Sequence, residues 1–294
     1  MRRLRSGRSE LRAGAPDESL PAASDEGERS ERAGAASRWL GSSKIQIFFF
    51  TICILLVWQF VNEALRVPSY LLPTPSAIAR ALYSGLVDGI FIKSAFITLL
   101  EAIAGFLIAA CAGIVLGTAI AQFGIVERLV YPYVVGLQSL PKVAIAPLVI
   151  VWFGYGFSSK IVVSATIAFF PVLVNVIVGL KSADADQLDL MRSLNASRWQ
   201  KLRLVQFPAA LPFIFAGLDV AAIFSVLGAI VAEFVGSQAG LGNLLLTFNS
   251  NLDISSVFAC LILLGLMGTS LHFAIQLLRR RMVFWSREDE VRKL

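Results

Sequence analysis

Histidine occurs once in this sequence, at His272, and cysteine three times, at Cys53, Cys111 and Cys260, each inside an apolar block and far from the others. That inventory offers no zinc-ligand set and no disulfide spacing, so the cysteines read as small hydrophobes. Charged residues make up only 16% of the chain, against about a quarter in soluble domains. There is no Gly-x-x-x-x-Gly-Lys-Ser/Thr run and no other glycine-rich loop with a phosphate-binding lysine, so ATP hydrolysis is not expected on this chain. No Cys-His pair, and no Asp-Asp or His-Glu spacing within an apolar block, supplies an intramembrane catalytic set. Nor is there a convincing internal repeat; a stand-alone secondary transporter or channel, the alternative from another class, would need repeated halves or internal ion-coupling acids.

What fills the 294 residues instead is apolar: 56% are hydrophobic and the mean hydropathy is +0.73. The surplus is gathered into long blocks, so the bilayer is the main solvent. Residues 1–44 carry nine basic and seven acidic residues with few large apolar ones. This composition predicts a disordered cytoplasmic tail. Apolar spans are expected at about 45–61 (within a first transmembrane helix at 45–66), 95–121, 129–153, 161–180, 211–235 and 254–278. That makes six crossings, or five if the third block only partly traverses. This block contains Pro132, Pro141 and Pro147 and is expected to be broken or kinked. Gly105, Ala109, Gly113, Gly117 and Ala121 recur at intervals of four, a ridge that lets a second helix approach closely. Before the second span, three prolines in Val67–Ser76 force an extended approach to a short amphipathic stretch at 77–86.

Basic residues set the orientation. Nine lie in the first 44 residues, five in 181–206 and six after Leu278, whereas Gly236–Asp253 has none. Both termini and the 181–206 segment are therefore expected on the cytoplasmic side of the membrane, with Trp39 and Trp285 at headgroup level. The same lysines and arginines account for the net charge of +6 without a nucleic-acid partner.

The 181–206 segment is the most informative stretch. Asp184 with Gln187, and Ser197 with Gln200, are two capping-box signatures. Between them lies Asn195, one of the few non-glycine types that tolerates a left-handed conformation. The segment therefore predicts a helix, a sharp turn and a second helix. Leu188, Met191 and Leu194 or Asn195 fall on one face of the first, and Trp199, Leu202 and Val205 on one face of the second. A pair of this kind could also lie flat on the membrane surface.

The string Arg192-Ser193-Leu194-Asn195-Ala196-Ser197-Arg198-Trp199-Gln200, followed by Phe207-Pro208-Ala209-Ala210-Leu211-Pro212, resembles the cytoplasmic signature loop of ABC importer permeases. Further motifs in the same order are Leu72–Ser76, Gly105-Phe106, Leu140–Leu148, Trp152–Gly156, Ser159-Lys160-Ile161, Phe170-Pro171, Ala232-Glu233 and Gly240-Leu241-Gly242. They are similar to the branch that moves aliphatic sulfonates, taurine and nitrate, and the likeness covers about 67–285. Two features depart from the pattern. The family's Glu-Ala-Ala is Asp189-Leu190-Met191 here, and its glycine is Asn195. Glu101 and Asp219 stand where relatives often carry a basic residue, which weakens any charge-based transfer of substrate specificity.

The resemblance implies an all-α polytopic membrane protein with the type I, MetI-like permease fold. The permease domain would span 67–285, with coupling helices at 184–206 and a cytoplasmic C-terminal tail at 286–294. It also implies that the chain is not an enzyme and binds no cofactor of its own. ATP and magnesium would bind on a partner, in an assembly of two permease copies, two ATP-binding subunits and an external solute-binding protein. The solute would be a small anion of the sulfonate, taurine or nitrate type; the alternatives are a pyrimidine-type vitamin precursor or an aromatic carboxylate. Asp189, Leu190, Met191, Arg192, Ser193, Leu194, Asn195, Ala196, Ser197 and Trp199 would contact the ATPase. Expected path or gate residues are Pro141, Lys142, Pro147, Asn175, Glu233, Gly240 and Gly242, with Glu233 and the two glycines also meeting the solute-binding protein. Glu101 and Asp219 are either functional or placed at helix ends beside a lysine or arginine.

Overall fold

The computed structural model describes residues 43–284, with side chains from Ile45. The two tails, with Trp39 and Trp285, lie outside these residues. Every regular element among them is helical. The chain divides into two compact units, one ending at Val57 and one starting at Trp58. α1 (Ser43–Ala64) contributes to both. Its apolar run Ile45–Ala64 is long enough to cross a bilayer.

In the second unit, Pro75–Val87 forms α2, opened by Thr74, whose side chain accepts a bond from the Ala77 N–H, with proline in the first turn. α3 (Ile90–Gln122), α6 (Phe157–Lys181), α9 (Phe207–Gly236) and α11 (Ile254–Met282) are the remaining uninterrupted apolar helices. Between α3 and α6 the chain makes α4 (Gly124–Ser139), a 3₁₀ turn at Lys142–Ile145 and α5 (Ala146–Phe153). The pair is bent by 90°. The cause is the Leu140–Pro141 step. The proline has no N–H to continue the helix and pushes Leu140 to extended geometry, with ψ at 141°. Pro132 and Pro171 are carried inside α4 and α6 without a break. Five helices can therefore cross the membrane, or six if the bent pair counts as one span.

α6 is the centre of this unit and packs between α3 and α9. Gly105, Ala109, Gly113 and Gly117 are all buried on α3. A Cβ at Gly113 would stand 2.8 Å from the Val172 Cβ, and one at Gly117 2.8 Å from the Val176 Cγ1. The small-residue ridge is thus the α3–α6 contact. On the other side, a Cβ at Gly228 would come within 2.6 Å of the Ser164 backbone, where the Ser164 hydroxyl donates to the Ser225 carbonyl at 2.8 Å. Gly228→Leu is accordingly expected to force α6 and α9 apart and cost about 1–3 kcal/mol or more, read as a lower thermal unfolding midpoint of the purified protein.

Two elements differ from the sequence expectation. The 236–253 connection, noted in the sequence for its lack of basic residues, contains a ten-residue helix, α10 (Leu241–Ser250), whose Leu241, Leu244, Leu245 and Phe248 pack on the core. The second short helix of the 181–206 segment is no separate element. It opens a continuous 39-residue helical span, Arg198–Gly236. The first turn, α8 (Arg198–Lys201), passes through a widened π turn at Leu202–Gln206 straight into α9. The expected common face breaks in that turn: Leu202 is buried while Trp199 is exposed.

Candidate functional site

The 181–206 segment opens with α7 (Ala185–Ser193). Asp184 caps it by accepting from the Asp186 N–H at 3.1 Å, so the Asp184–Gln187 capping box does not form. The helix closes as written in its residues. Asn195 adopts φ +52°, its N–H donates to the Arg192 carbonyl at 2.9 Å, and the Ala196 N–H reaches back to the Met191 carbonyl at 2.9 Å. This pair of bonds around a left-handed residue is a Schellman ending. The Ser197–Gln200 capping box is complete, with bonds of 2.7 and 3.2 Å. A side chain branched at Cβ is poorly tolerated at positive φ. Asn195→Val is therefore expected to destabilise the turn by about 1–2 kcal/mol while Asn195→Gly leaves it intact, read by protease sensitivity of the 181–206 segment.

The helix–turn–helix presents apolar groups outward. Leu190, Leu194 and Trp199 are 61, 68 and 68% exposed. Leu188, Met191 and Ala196 are half-buried, and Asp189, Arg192, Ser193, Asn195 and Ser197 are exposed. Asp189 accepts from Arg192 at 2.6 Å on this surface. The ten expected ATPase-contact residues thus form one continuous feature. Directly behind it, Gln206 accepts from the Gln122 amide at 2.7 Å and donates to the Leu180 carbonyl at 3.4 Å. One side chain there joins the ends of α3 and α6 to the start of α9. Sequence reasoning missed this link, because glutamine pairing leaves no spacing signal.

The expected path residues do not all converge. Glu233, Gly240 and Gly242 come together, and they do so inside the bundle. The Glu233 carboxylate is 1% exposed. It accepts from the Thr98 hydroxyl at 2.7 Å and from the Gly242 N–H, while Thr98 accepts from the Leu241 N–H at 2.9 Å. Glu233 and Thr98 therefore satisfy orphan donors at the α10 N-terminus, where a carboxylate is favoured. Gly240 is required twice over: its φ is +102°, and a Cβ would overlap the Glu233 carboxylate. Pro141, Lys142 and Pro147 share the α4–α5 bend. The Lys142 ammonium donates to the Gln138 carbonyl at 3.0 Å and sits 5.0 Å from the Phe170 ring centre, a cation–π arrangement. Asn175 makes its contacts elsewhere, donating to the Pro171 carbonyl at 2.8 Å on the face of α6 that meets Gly217.

Neither Glu101 nor Asp219 lies at a helix end. Glu101 is in the interior of α3, fully buried beside Glu233. Its ion-pair partner is the Lys160 ammonium at 3.5 Å, itself almost fully buried. Lys160 occupies the first turn of α6, where the helix's own partial positive charge disfavours a cation. Its placement answers to the two glutamates rather than to its helix. It also borders a cleft of about 450 Å³ with Tyr155, Gly236, Ser237, Gln238 and Ala239. Asp219, in the middle of α9, meets a histidine and a glutamine of α11. His272 Nδ1 is 2.5 Å from its Oδ1, and the Gln276 amide donates to its Oδ2 at 3.2 Å. Among the described residues no group of three or more His, Cys, Asp or Glu could hold a metal.

A helical membrane domain with a proline-broken third block and an exposed helix–turn–helix leading straight into a spanning helix is the architecture of a permease subunit. Residues 109–284 match the family described as "Binding-protein-dependent transport system inner membrane component", and the chain belongs to it. The riboflavin transport system permease protein RibX of Chloroflexus aurantiacus is 34% identical over 80% of this chain and 88% of its own length. The formylaminopyrimidine transport permease protein ThiX of Halalkalibacterium halodurans is 31% identical over 82% and 95%. The putative aliphatic sulfonates transport permease protein SsuC of Bacillus subtilis is 30% identical over 81% and 86%. An inward-facing structure of the MetNI methionine ABC transporter aligns with a TM-score of 0.58 at 19% identity, covering 67% of this chain and 97% of that one. The chain is thus a multi-pass ABC importer permease with the type I, MetI-like fold.

Proposed function

We propose that this chain forms, as a pair of identical copies, the translocation path of an ATP-driven importer, with ATP and magnesium bound on two separate ATP-binding subunits. The observation that carries the reading is the α7–α8 helix–turn–helix, which holds Leu190, Leu194 and Trp199 out from an otherwise polar loop. Exposed apolar side chains clustered on a rigid, capped turn are the anchors a protein partner buries. A pull on α7 would pass through the continuous 198–236 helix into the core, moving the copies as rigid bodies between inward-open and outward-open states. The positive charge in 181–206, after Leu278 and in the first 44 residues supports a cytoplasmic location for those segments and both termini.

The solute is delivered by an external binding protein. The motifs shared with sulfonate-type permeases support a small anion such as a sulfonate or taurine. The names of RibX and ThiX favour a second reading, a vitamin or vitamin precursor with a heteroaromatic ring. Proteoliposomes holding this chain, its ATP-binding subunits and the loaded binding protein provide the test. The reading expects solute uptake that stops when either ATP or the binding protein is left out. Uptake by the chain alone on an ion gradient would instead make it a secondary transporter.

A further inference from the structure

Between α9 and α11 runs a groove of about 500 Å³, lined by Ile223, Leu227 and Ile230 from one helix and Leu264, Thr269 and His272 from the other. We infer that this groove faces the translocation path and contacts the solute, with His272, held by Asp219, as its polar recognition group. The inference rests on the importer reading above and narrows the solute to an organic molecule with an apolar body and one polar head, rather than a bare inorganic anion.

Three observations carry it. The first is where the polar cluster lies. Asp219 is twelve residues into α9, about 18 Å from its start, and His272 is seven residues before Arg279, about 10 Å. Both are inside apolar spans, yet their side chains stay 20 and 35% exposed. An ionisable group facing hydrocarbon in mid-helix costs about 2.5–3.5 kcal/mol on insertion scales, and such groups face protein or water instead. The exposed face of α3 provides the contrast, since between Phe96 and Val115 it presents Phe96, Leu100, Leu107, Ile108, Cys111 and Val115 with no acidic or basic residue. That face suits lipid; the α9–α11 face does not.

The second observation is the geometry of the imidazole. Asp219 engages Nδ1 and is steadied on its other oxygen by Gln276. A carboxylate on one ring nitrogen fixes the ring's orientation and leaves Nε2 for a ligand. The third is room. A Cβ at Gly265 or Gly268 would meet nothing within 4 Å, so these glycines accommodate no neighbour in this chain and widen the groove. A cleft of this size, mostly apolar with one oriented polar group, has the make-up of a small-molecule site. It would waste its lining on an ion such as nitrate.

Cysteine accessibility in the assembled transporter tests the inference. In a chain whose Cys53, Cys111 and Cys260 are replaced by alanine, Thr269→Cys and Val115→Cys are each exposed to a charged, membrane-impermeant methanethiosulfonate in inside-out vesicles. Thr269→Cys should react at least tenfold faster. Riboflavin or benzenesulfonate at millimolar concentration should slow that reaction while nitrate does not. The protection should disappear with His272→Ala and return in part with His272→Gln, which keeps a hydrogen-bonding head. Reaction only with a lipid-soluble maleimide would place the groove against lipid, and a Thr269→Cys disulfide between copies would make it a subunit contact; either overturns the inference. So would protection by nitrate, absence of protection by both organic probes, or protection that survives His272→Ala. ATP-dependent uptake measured with the same variant in proteoliposomes supplied with the loaded binding protein separates the two claims, since uptake with an unreactive Thr269→Cys refutes the groove and leaves the importer standing.

Discussion

Lys160→Met is expected to cost about 3–5 kcal/mol of stability, the usual effect of removing one partner from a buried ion pair. The substitution keeps the length and most of the apolar stem but leaves Glu101 and Glu233 together inside the bundle without their cation. The Thr98 hydroxyl and the Gly242 N–H compensate Glu233, whereas no donor reaches either Glu101 oxygen at hydrogen-bond geometry. Nearly all of the loss should therefore fall on Glu101. Combining Lys160→Met with Glu101→Gln removes the stranded charge and should recover most of the stability, because a buried pair replaced as a unit is often neutral. Thermal unfolding of the detergent-purified single and double variants decides the matter. A single variant no worse than the double would show that the pair contributes little.

Leu194→Arg should weaken binding of the ATP-binding subunit by roughly thirtyfold or more, since truncating a central interface anchor costs about 2 kcal/mol. Trp199→Ala should approach that loss. Asp189→Ala should change it far less, because the Asp189–Arg192 pair is solvent-exposed on both sides and such pairs contribute little. All three side chains are exposed in the permease, so the fold should survive each change. Titration of the ATP-binding subunit onto the solubilised chain measures the series. If Asp189→Ala proves the most damaging and Leu194→Arg the least, the contact is electrostatic rather than apolar.

Much of this organisation is legible in the residues. Hydropathy blocks placed the spanning helices to within about five residues except at the start of the Arg198–Gly236 span, and the spacing of four along α3 marked the surface that meets α6. Asn195 and Ser197 announced their turn because both act locally, through backbone bonds within a few residues. Pro141 likewise announced the bend. What escaped were pairings set by tertiary packing. Glu101 and Lys160 are far apart in sequence, as are Asp219 and His272, and no spacing rule joins them. The only sequence hint was that an acid within a span needs a partner. α10 escaped for a different reason. Leu241, Leu244, Leu245 and Phe248 already follow the helical period, but the segment was read for its lack of basic residues rather than for its pattern. The merging of α8 into α9 was hidden by Pro208, which normally marks a boundary but here falls in the first turn of α9, after the π turn.

The most direct measurement of the central claim is the subunit composition and ATPase activity of the complex purified through a tag on this chain. The account predicts two ATP-binding subunits for every two copies of the chain, with hydrolysis stimulated by the loaded solute-binding protein and both association and stimulation lost in Leu194→Arg. A chain that purifies without any ATPase, or whose Leu194→Arg variant keeps full stimulation, would contradict it.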